Sequence, residues 1–151
     1  MSQAVTIRAL LPADAAAWQH LRTQLWPAYT PQLHAREMAT ILADSDNQAV
    51  FVADAGSRLV GFVEASLHPH AIGCEHAPVG YVEGWYVAPE LRRTGIGRRL
   101  LAAAEAWALA RGCREMASDA HPHNGVSQAA HRAAGYAAVD MLVHFRKPLT
   151  S

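Results

Sequence analysis

The chain has 151 residues, about half of them hydrophobic, which is the size and composition of one folded globular domain with a sizeable core. Thirteen basic residues balance thirteen acidic ones, so broad nucleic-acid binding by charge is excluded, although a local acidic pocket is not. No apolar stretch is long enough to span a bilayer, and nothing reads as a charged leader followed by an apolar run. Two cysteines, Cys74 and Cys113, lie in no metal or disulfide spacing and suit a reducing cytoplasm. None of the nine histidines forms a helical pair for a metal, so no metal site is expected.

Val5 to Leu10 reads as a first strand. Pro12 suits the first turn of a helix whose apolar stripe is Trp18, Leu21 and Leu25. Pro27 ends it, and Thr30-Pro31 starts a second helix with a capping hydroxyl and Pro at its first position. Met38, Ile41 and Leu42 are the expected buried face. Trp26 and Tyr29 lie on the connection, placed either to plug a core or to face a ligand. Ala49 to Ala53 and Leu59 to Leu67 read as a hairpin, and His68 to Val79 as a long loop.

Gly80 to Val87 is the central strand. Arg92-Arg93-Thr94-Gly95-Ile96-Gly97 is a turn, and a helix runs from Arg98 to Arg111. Its expected buried face is Leu100, Leu101, Ala104, Trp107 and Ala108. Cys113 to Ser118 is the next strand, with Asp119 at its carboxyl end. Asn124 caps a short helix to about Ala134, and Gly135 ends it. Tyr136 to Asp140 and Leu142 to Lys147 read as two closing strands. The strand–helix–strand unit is a parallel crossover in an otherwise hairpin-connected sheet, so the fold class is α+β with a mixed sheet in a single domain, residues 1–151.

Two glycines in a turn that opens a helix let backbone pass close to a ligand, and N–H groups at the helix start favour an anion. A dinucleotide fingerprint would need a third glycine where Leu100 stands, and the only lysine, Lys147, is far from a triphosphate loop. Arg-x-x-Gly-x-Gly after a strand carrying Glu-Gly-Trp-Tyr-Val resembles the acetyl-CoA loop of the Gcn5-related N-acetyltransferases. That resemblance implies a mixed sheet splayed at its parallel strand pair and flanked by helices, with acetyl-CoA as co-substrate. The plainer reading of the same residues is a Gly-rich turn with solvated arginines.

Acetyl transfer to an amine requires a neutral attacking nitrogen, yet an alkyl ammonium like that of lysine titrates near ~10.4. A carboxylate nearby attracts the ammonium and can accept its proton. Glu83 on the central strand and Asp119 at the end of the next strand are placed for this, since ligands in such sheets gather at the carboxyl ends of strands. Gly84 inside the central strand is a candidate bulge. Together the carboxylates point to a cationic substrate.

Pro78-Val79-Gly80, Val82 to Val87, Cys113 to Asp119, Asn124 and His131 to Tyr136 are similar to the aminoglycoside 6′-N-acetyltransferases. The resemblance implies transfer from acetyl-CoA to an aminoglycoside 6′-amine within a ternary complex, conferring resistance, by a homodimer in the cytoplasm. Asp119 is then the candidate catalytic base. Trp26, Glu83, Asp119 and Asp140 match substrate positions. Trp85, Tyr86, Val87, Arg92, Arg93, Thr94, Gly95, Ile96, Gly97 and Asn124 match cofactor positions. His131 stands where many relatives carry a tyrosine acid, and the loop after Leu67 lacks a tyrosine that similar enzymes have. Direct transfer leaves Cys113 without a covalent role. Other readings are an N-acetyltransferase for another small polyamine or a protein amino group, and an acyl-CoA-binding module without turnover.

Overall fold

A computed structural model describes residues 4–150 in two compact units, one ending at Asp119 and one beginning at Ala120. The first unit is built on a five-stranded sheet: β1 Thr6–Ala9, β2 Gln48–Asp54, β3 Leu59–His68, β4 Val79–Val87 and β5 Met116–Ser118. The spatial order follows the sequence. All neighbours are antiparallel except β4 and β5, which are parallel and joined through α3, Ile96–Ala110.

Helices α1, Ala15–Leu25, and α2, Pro31–Leu42, lie on one side of the sheet and α3 on the other. A Cβ added at Gly84 would strike Trp26 of the α1–α2 connection, whereas one at Gly80 would strike Ala108 of α3. Between α1, α2 and the sheet lies a core of Trp18, Leu21, Met38, Val50, Val52, Phe62 and Tyr86. On α2, Thr30 accepts a hydrogen bond from the Leu33 N–H at 3.1 Å, the capping role its hydroxyl was expected to take. The buried side chains of this helix are His34 and Met38, with Ile41 half-buried, while Leu42 is 58% exposed, contrary to expectation.

Helix α3 begins two residues before the expected Arg98. Gly95 is its left-handed N-cap (φ 89°), and Gly97 already belongs to the first turn. Leu100, Leu101, Ala104 and Ala108 are buried as expected, but Trp107 is half-buried with the Arg111 guanidinium over its ring. β5 is shorter than expected. Cys113 and Arg114 lie before it, and the Glu115 carbonyl accepts the Gly80 N–H at 3.1 Å.

The second unit holds α4, Gly125–Ala133, which the Asn124 side chain caps by accepting the Ser127 N–H at 3.1 Å. Left-handed Gly135 (φ 94°) follows its end. The two closing strands expected over 136–147 are absent: this arm pairs with no strand among the described residues. Val139, Met141, Leu142, Val143, Phe145 and Leu149 are each more than half exposed along it. Alternation predicts a strand only where a partner edge receives it. No helix among the described residues is long and apolar enough to cross a membrane.

Candidate active site

The site begins with an irregularity in β4. Glu64 of β3 pairs with Gly84, but the next residue, Ala65, pairs with Val82, so Glu83 is an extra residue in the ladder. The bulge is therefore carried by Glu83 rather than by Gly84, the residue the sequence singles out. A bulge interrupts the alternation of side chains. Gly80 faces α3, whereas beyond the bulge Gly84 faces α1 and the α1–α2 connection. The β4–β5 pairing also ends here, at Val82 and Ser118, so β4 from Glu83 onward has no strand partner on that side among the described residues.

The bulge lays a polar cluster on the sheet beside the apolar core. Ser66 lies opposite Tyr81 in the register of β3 and β4. The Ser66 hydroxyl donates to Glu83 Oε1 at 2.5 Å, and His68 Nε2 lies 2.7 Å from the same oxygen. The His68 imidazole stacks on the Tyr81 ring, with centroids 4.4 Å apart and planes 11° apart. The Tyr81 hydroxyl donates to Asp119 Oδ2. Burial, reinforced by the Asp119 carboxylate, pushes the Tyr81 hydroxyl well above the usual tyrosine range, so it remains a donor. The two carboxylates expected from the sequence are thus brought into one assembly. Glu83 pairs with a histidine rather than an arginine.

Glu83 also lines a pocket of about 380 Å³ with Trp26, Tyr29, Arg36, Glu37 and the buried Glu64. Trp26 is fixed there from several directions. Its ring lies 4.8 Å from the Arg22 guanidinium carbon, stacks with Tyr29, and meets Phe62 edge-on. Arg22 is itself buried. Its Nη1 donates to both Glu64 oxygens, at 2.7 and 2.6 Å, its Nη2 to Glu37 at 2.9 Å and its Nε to His34 Nδ1 at 3.2 Å. Trp18 Nε1 adds a further donor to Glu64 at 2.9 Å. Arginine has no acceptor, so His34 Nδ1 is the unprotonated nitrogen, and Nε2 donates to the Trp26 carbonyl at 3.3 Å. Burial alone favours a neutral Glu64 carboxyl, and the Arg22 and Trp18 donors oppose it. This network carries the α1–α2 connection at the pocket's wall.

The turn after β4 has the form expected of an anion cradle. Arg93 (φ 64°) and Gly95 (φ 89°) are left-handed, and Gly95 brings no side-chain cap to the first turn of α3. A Cβ at Gly95 would meet nothing within 4 Å, so the space beside the turn is open. Several other residues of the expected cofactor set serve the scaffold. Arg92 Nε donates to the Val87 carbonyl at 2.9 Å and its guanidinium lies over Tyr86. Thr94 Oγ1 donates to the Leu91 carbonyl at 2.5 Å, and Ile96 is buried. Trp85 Nε1 donates to the Gly97 carbonyl at 3.0 Å, and a Cβ at Gly97 would come within 3.1 Å of the Trp85 ring. Gly97 is therefore small for a tryptophan of the same chain.

Asp140 and Asn124 lie in the second unit. Asp140 is exposed and its Oδ1 accepts the Met141 N–H at 2.7 Å. In the same unit His131 Nδ1 faces the Ser127 carbonyl at 2.7 Å. Cys113 is buried, which pushes its thiol up and away from the reactive thiolate. His68, Tyr81, Ser66 and Glu37 were not picked out from the sequence. The available signal was the pairing of polar or aromatic residues at i and i+2 on two neighbouring strands, Ser66 with His68 and Tyr81 with Glu83.

Residues 17–136 match the Acetyltransferase (GNAT) family. Over 150 residues the chain is 44% identical to an aminoglycoside N(6′)-acetyltransferase type 1 of Stenotrophomonas maltophilia, covering 99% of this chain and 97% of that one. A second such enzyme, from Klebsiella aerogenes, is 41% identical and is covered in full. The structure superposes with a TM-score of 0.90 on AAC(6′)-Iy in complex with the bisubstrate analogue CoA-S-monomethyl-acetylneamine, at 36% identity, over 96% of this chain and 99% of that chain.

Proposed function

The chain belongs to the acetyltransferase (GNAT) family, and from that premise we propose that it transfers the acetyl group of acetyl-CoA to the 6′-amine of aminoglycosides, conferring resistance to them. The observation that carries this reading is the pair of carboxylates, Glu83 and Asp119, held together where the parallel strands part. A pair of anions at that place suits a polycationic acceptor.

Acetyl-CoA supplies the acetyl group as an activated thioester. On the protein side, the open turn at Gly95 and the uncapped first turn of α3 offer N–H groups to the pyrophosphate. Past Val82, where its ladder with β5 ends, the β4 backbone at Tyr86 and Val87 offers groups to an extended ligand arm. Glu83 attracts one ammonium of the acceptor. Asp119 accepts the proton that the reacting ammonium gives up, the freed nitrogen attacks the thioester carbonyl, and as the amide C–N bond forms the C–S bond breaks and the nitrogen's second proton passes to the departing CoA thiolate. Trp26 walls the pocket against which the acceptor's rings lie.

The enzyme acts in the cytoplasm as a homodimer. The apolar arm over 139–149 supports the dimer, because its exposed side chains need a cover that a second copy would provide. Sedimentation equilibrium should give twice the chain mass, and a monomer at micromolar concentration would refute it.

The reaction is tested by thiol release from acetyl-CoA with a panel of acceptors: an aminoglycoside with a 6′-amine, one with a 6′-hydroxyl, spermidine and a short peptide. Turnover with the 6′-amine compound alone fixes reaction and regiochemistry. Turnover with spermidine or the peptide alone keeps the chemistry and overturns the substrate.

A further inference from the structure

We propose that His68 and Tyr81 are positioning residues that join Glu83 and Asp119 into a single rigid cradle for an acceptor bearing two ammonium groups. This rests on the acetyl-transfer reading and assigns roles within the same site.

Each carboxylate is tied through one oxygen. Ser66 and His68 both reach Glu83 through Oε1, and Tyr81 reaches Asp119 through Oδ2. Among the described residues no hydrogen bond is made to Glu83 Oε2 or to Asp119 Oδ1. A carboxylate ligated this way keeps its orientation while offering its second oxygen to a cation. Left to itself, a half-exposed Glu side chain is free to rotate, and a substrate must bear the cost of ordering it.

The stack between His68 and Tyr81 makes the two anchors one object. With ring planes 11° apart at 4.4 Å, the imidazole cannot swing without leaving the phenol. Tyr81 also lies on β4 where the pairing with β5 is still intact, opposite Ala117. The Tyr81 end is thus fixed to the sheet, and His68 sits at the last position of β3. The distance between the two open oxygens is therefore set by the β3–β4 register at one end and, at the other, by the Tyr81 hydrogen bond to Asp119, the residue that follows β5. Such a spacing selects an acceptor whose second ammonium lies at a fixed separation from the reacting amine. It discriminates against flexible single-amine acceptors. The two anchors also divide the work: Tyr81 holds the group that takes the proton, and His68 holds the group that only binds.

The test uses the whole chain as wild type and as Tyr81→Phe, His68→Ala and His68→Gln. The probe is a 2-deoxystreptamine aminoglycoside with a 6′-amine. Its binding is followed by calorimetry and its turnover by thiol release. Tyr81→Phe keeps the ring beneath His68 but loses the donor, so kcat should fall at least tenfold while acceptor affinity stays within twofold. His68→Ala should weaken acceptor affinity at least fivefold and leave kcat within threefold. His68→Gln, whose amide can donate to Glu83, should restore most of that affinity. Unchanged constants in both variants overturn the proposal. So does a loss of kcat and affinity together in both, tracking a lowered Tm and without rescue by Gln. If the wild type binds the probe without turnover, the transferase reading fails. The cradle then stands or falls on whether His68→Ala weakens binding and Gln restores it. A wild type that neither binds nor turns over the probe refutes both.

Discussion

Replacing Gly84 by alanine tests the link between the bulge, Trp26 and the proposed acceptor pocket. A Cβ at this position would lie 2.5 Å from Trp26 Cη2 and 2.9 Å from Cζ2, so the indole must withdraw by about 1 Å to reach ordinary contact. The ring has little room to yield. The Arg22 guanidinium lies 4.8 Å from its centroid, Tyr29 stacks with it, and Phe62 meets it edge-on. Arg22 cannot follow the ring outward without loosening its bonds to Glu64 at 2.6 and 2.7 Å. Overpacking of this kind costs about 1–3 kcal/mol. For a domain of this size that corresponds to a fall in Tm of roughly 2–12 °C. Scanning calorimetry reads this loss. Steady-state kinetics should show the acceptor KM raised severalfold and the acetyl-CoA KM within twofold, because the turn at Gly95 is not part of the contact. A folded variant with unchanged Tm and unchanged acceptor KM would refute the packing of Trp26 on Gly84 and its place in the pocket wall.

Other perturbations separate the remaining parts. Arg22→Met strands the Glu64 carboxylate at 4% exposure and should cost about 3–5 kcal/mol in urea unfolding. Adding Glu64→Gln should recover much of that loss, and a double variant less stable than the single would sink the account of the pair. Gly95→Ala should cost about 1–2 kcal/mol through its φ of 89° alone, since the added Cβ meets no neighbour. Gly95→Val should in addition weaken CoA binding at least tenfold by calorimetry, and normal CoA affinity in a folded Gly95→Val would refute the cradle. Glu115 accepts the backbone N–H groups of Glu75 and His76, which hold its carboxyl below the usual glutamate range. A lowered folded pKa means that this tether is complete above the ordinary value near ~4.3 and is lost as pH falls through the lowered one. Amide exchange at 75 and 76 should therefore be slow at neutral pH, and Glu115→Gln should speed it there. Equal protection in the variant would show that the carboxylate does not tie this loop.

The strand–turn–helix at the centre of the chain was legible because its signals are local. A Pro, a left-handed Gly and a helical apolar stripe each act within a few residues. The start of α3 differs from the expected Arg98 because the two glycines play different parts. Only Gly95 has the positive φ that a turn demands, while Gly97 is small for the Trp85 ring. The carboxylates were found because strand ends and interior glycines have local signatures. Their partners are not, because His68 meets Glu83 across a β3–β4 pairing that the bulge resets, and Tyr81 meets Asp119 beside the parallel β4–β5 pair, far apart in sequence. The arm after Gly135 shows the converse: alternation is present there and no partner edge among the described residues receives it.

The bulge explains how the proposed binding residues and core residues share one strand. In an uninterrupted β4, the alternation that puts Gly80 toward α3 would also put Gly84 and Tyr86 there, and Tyr86 would leave the core that it shares with Trp18 and Phe62. One extra residue restores Tyr86 to that core while Tyr81 keeps the opposite parity, on the same side of the sheet. The inserted residue is Glu83 itself, placed where the β4–β5 ladder ends. A bulged residue has no cross-strand partner to hold it, so its side chain must be held by other means. Ser66 and His68 supply that hold from β3, the strand on the intact side of the bulge. A carboxylate anchored in this way is fixed by the sheet yet stands at the gap where an extended thioester arm would enter. The same residue thus opens the slot and places an anion beside it.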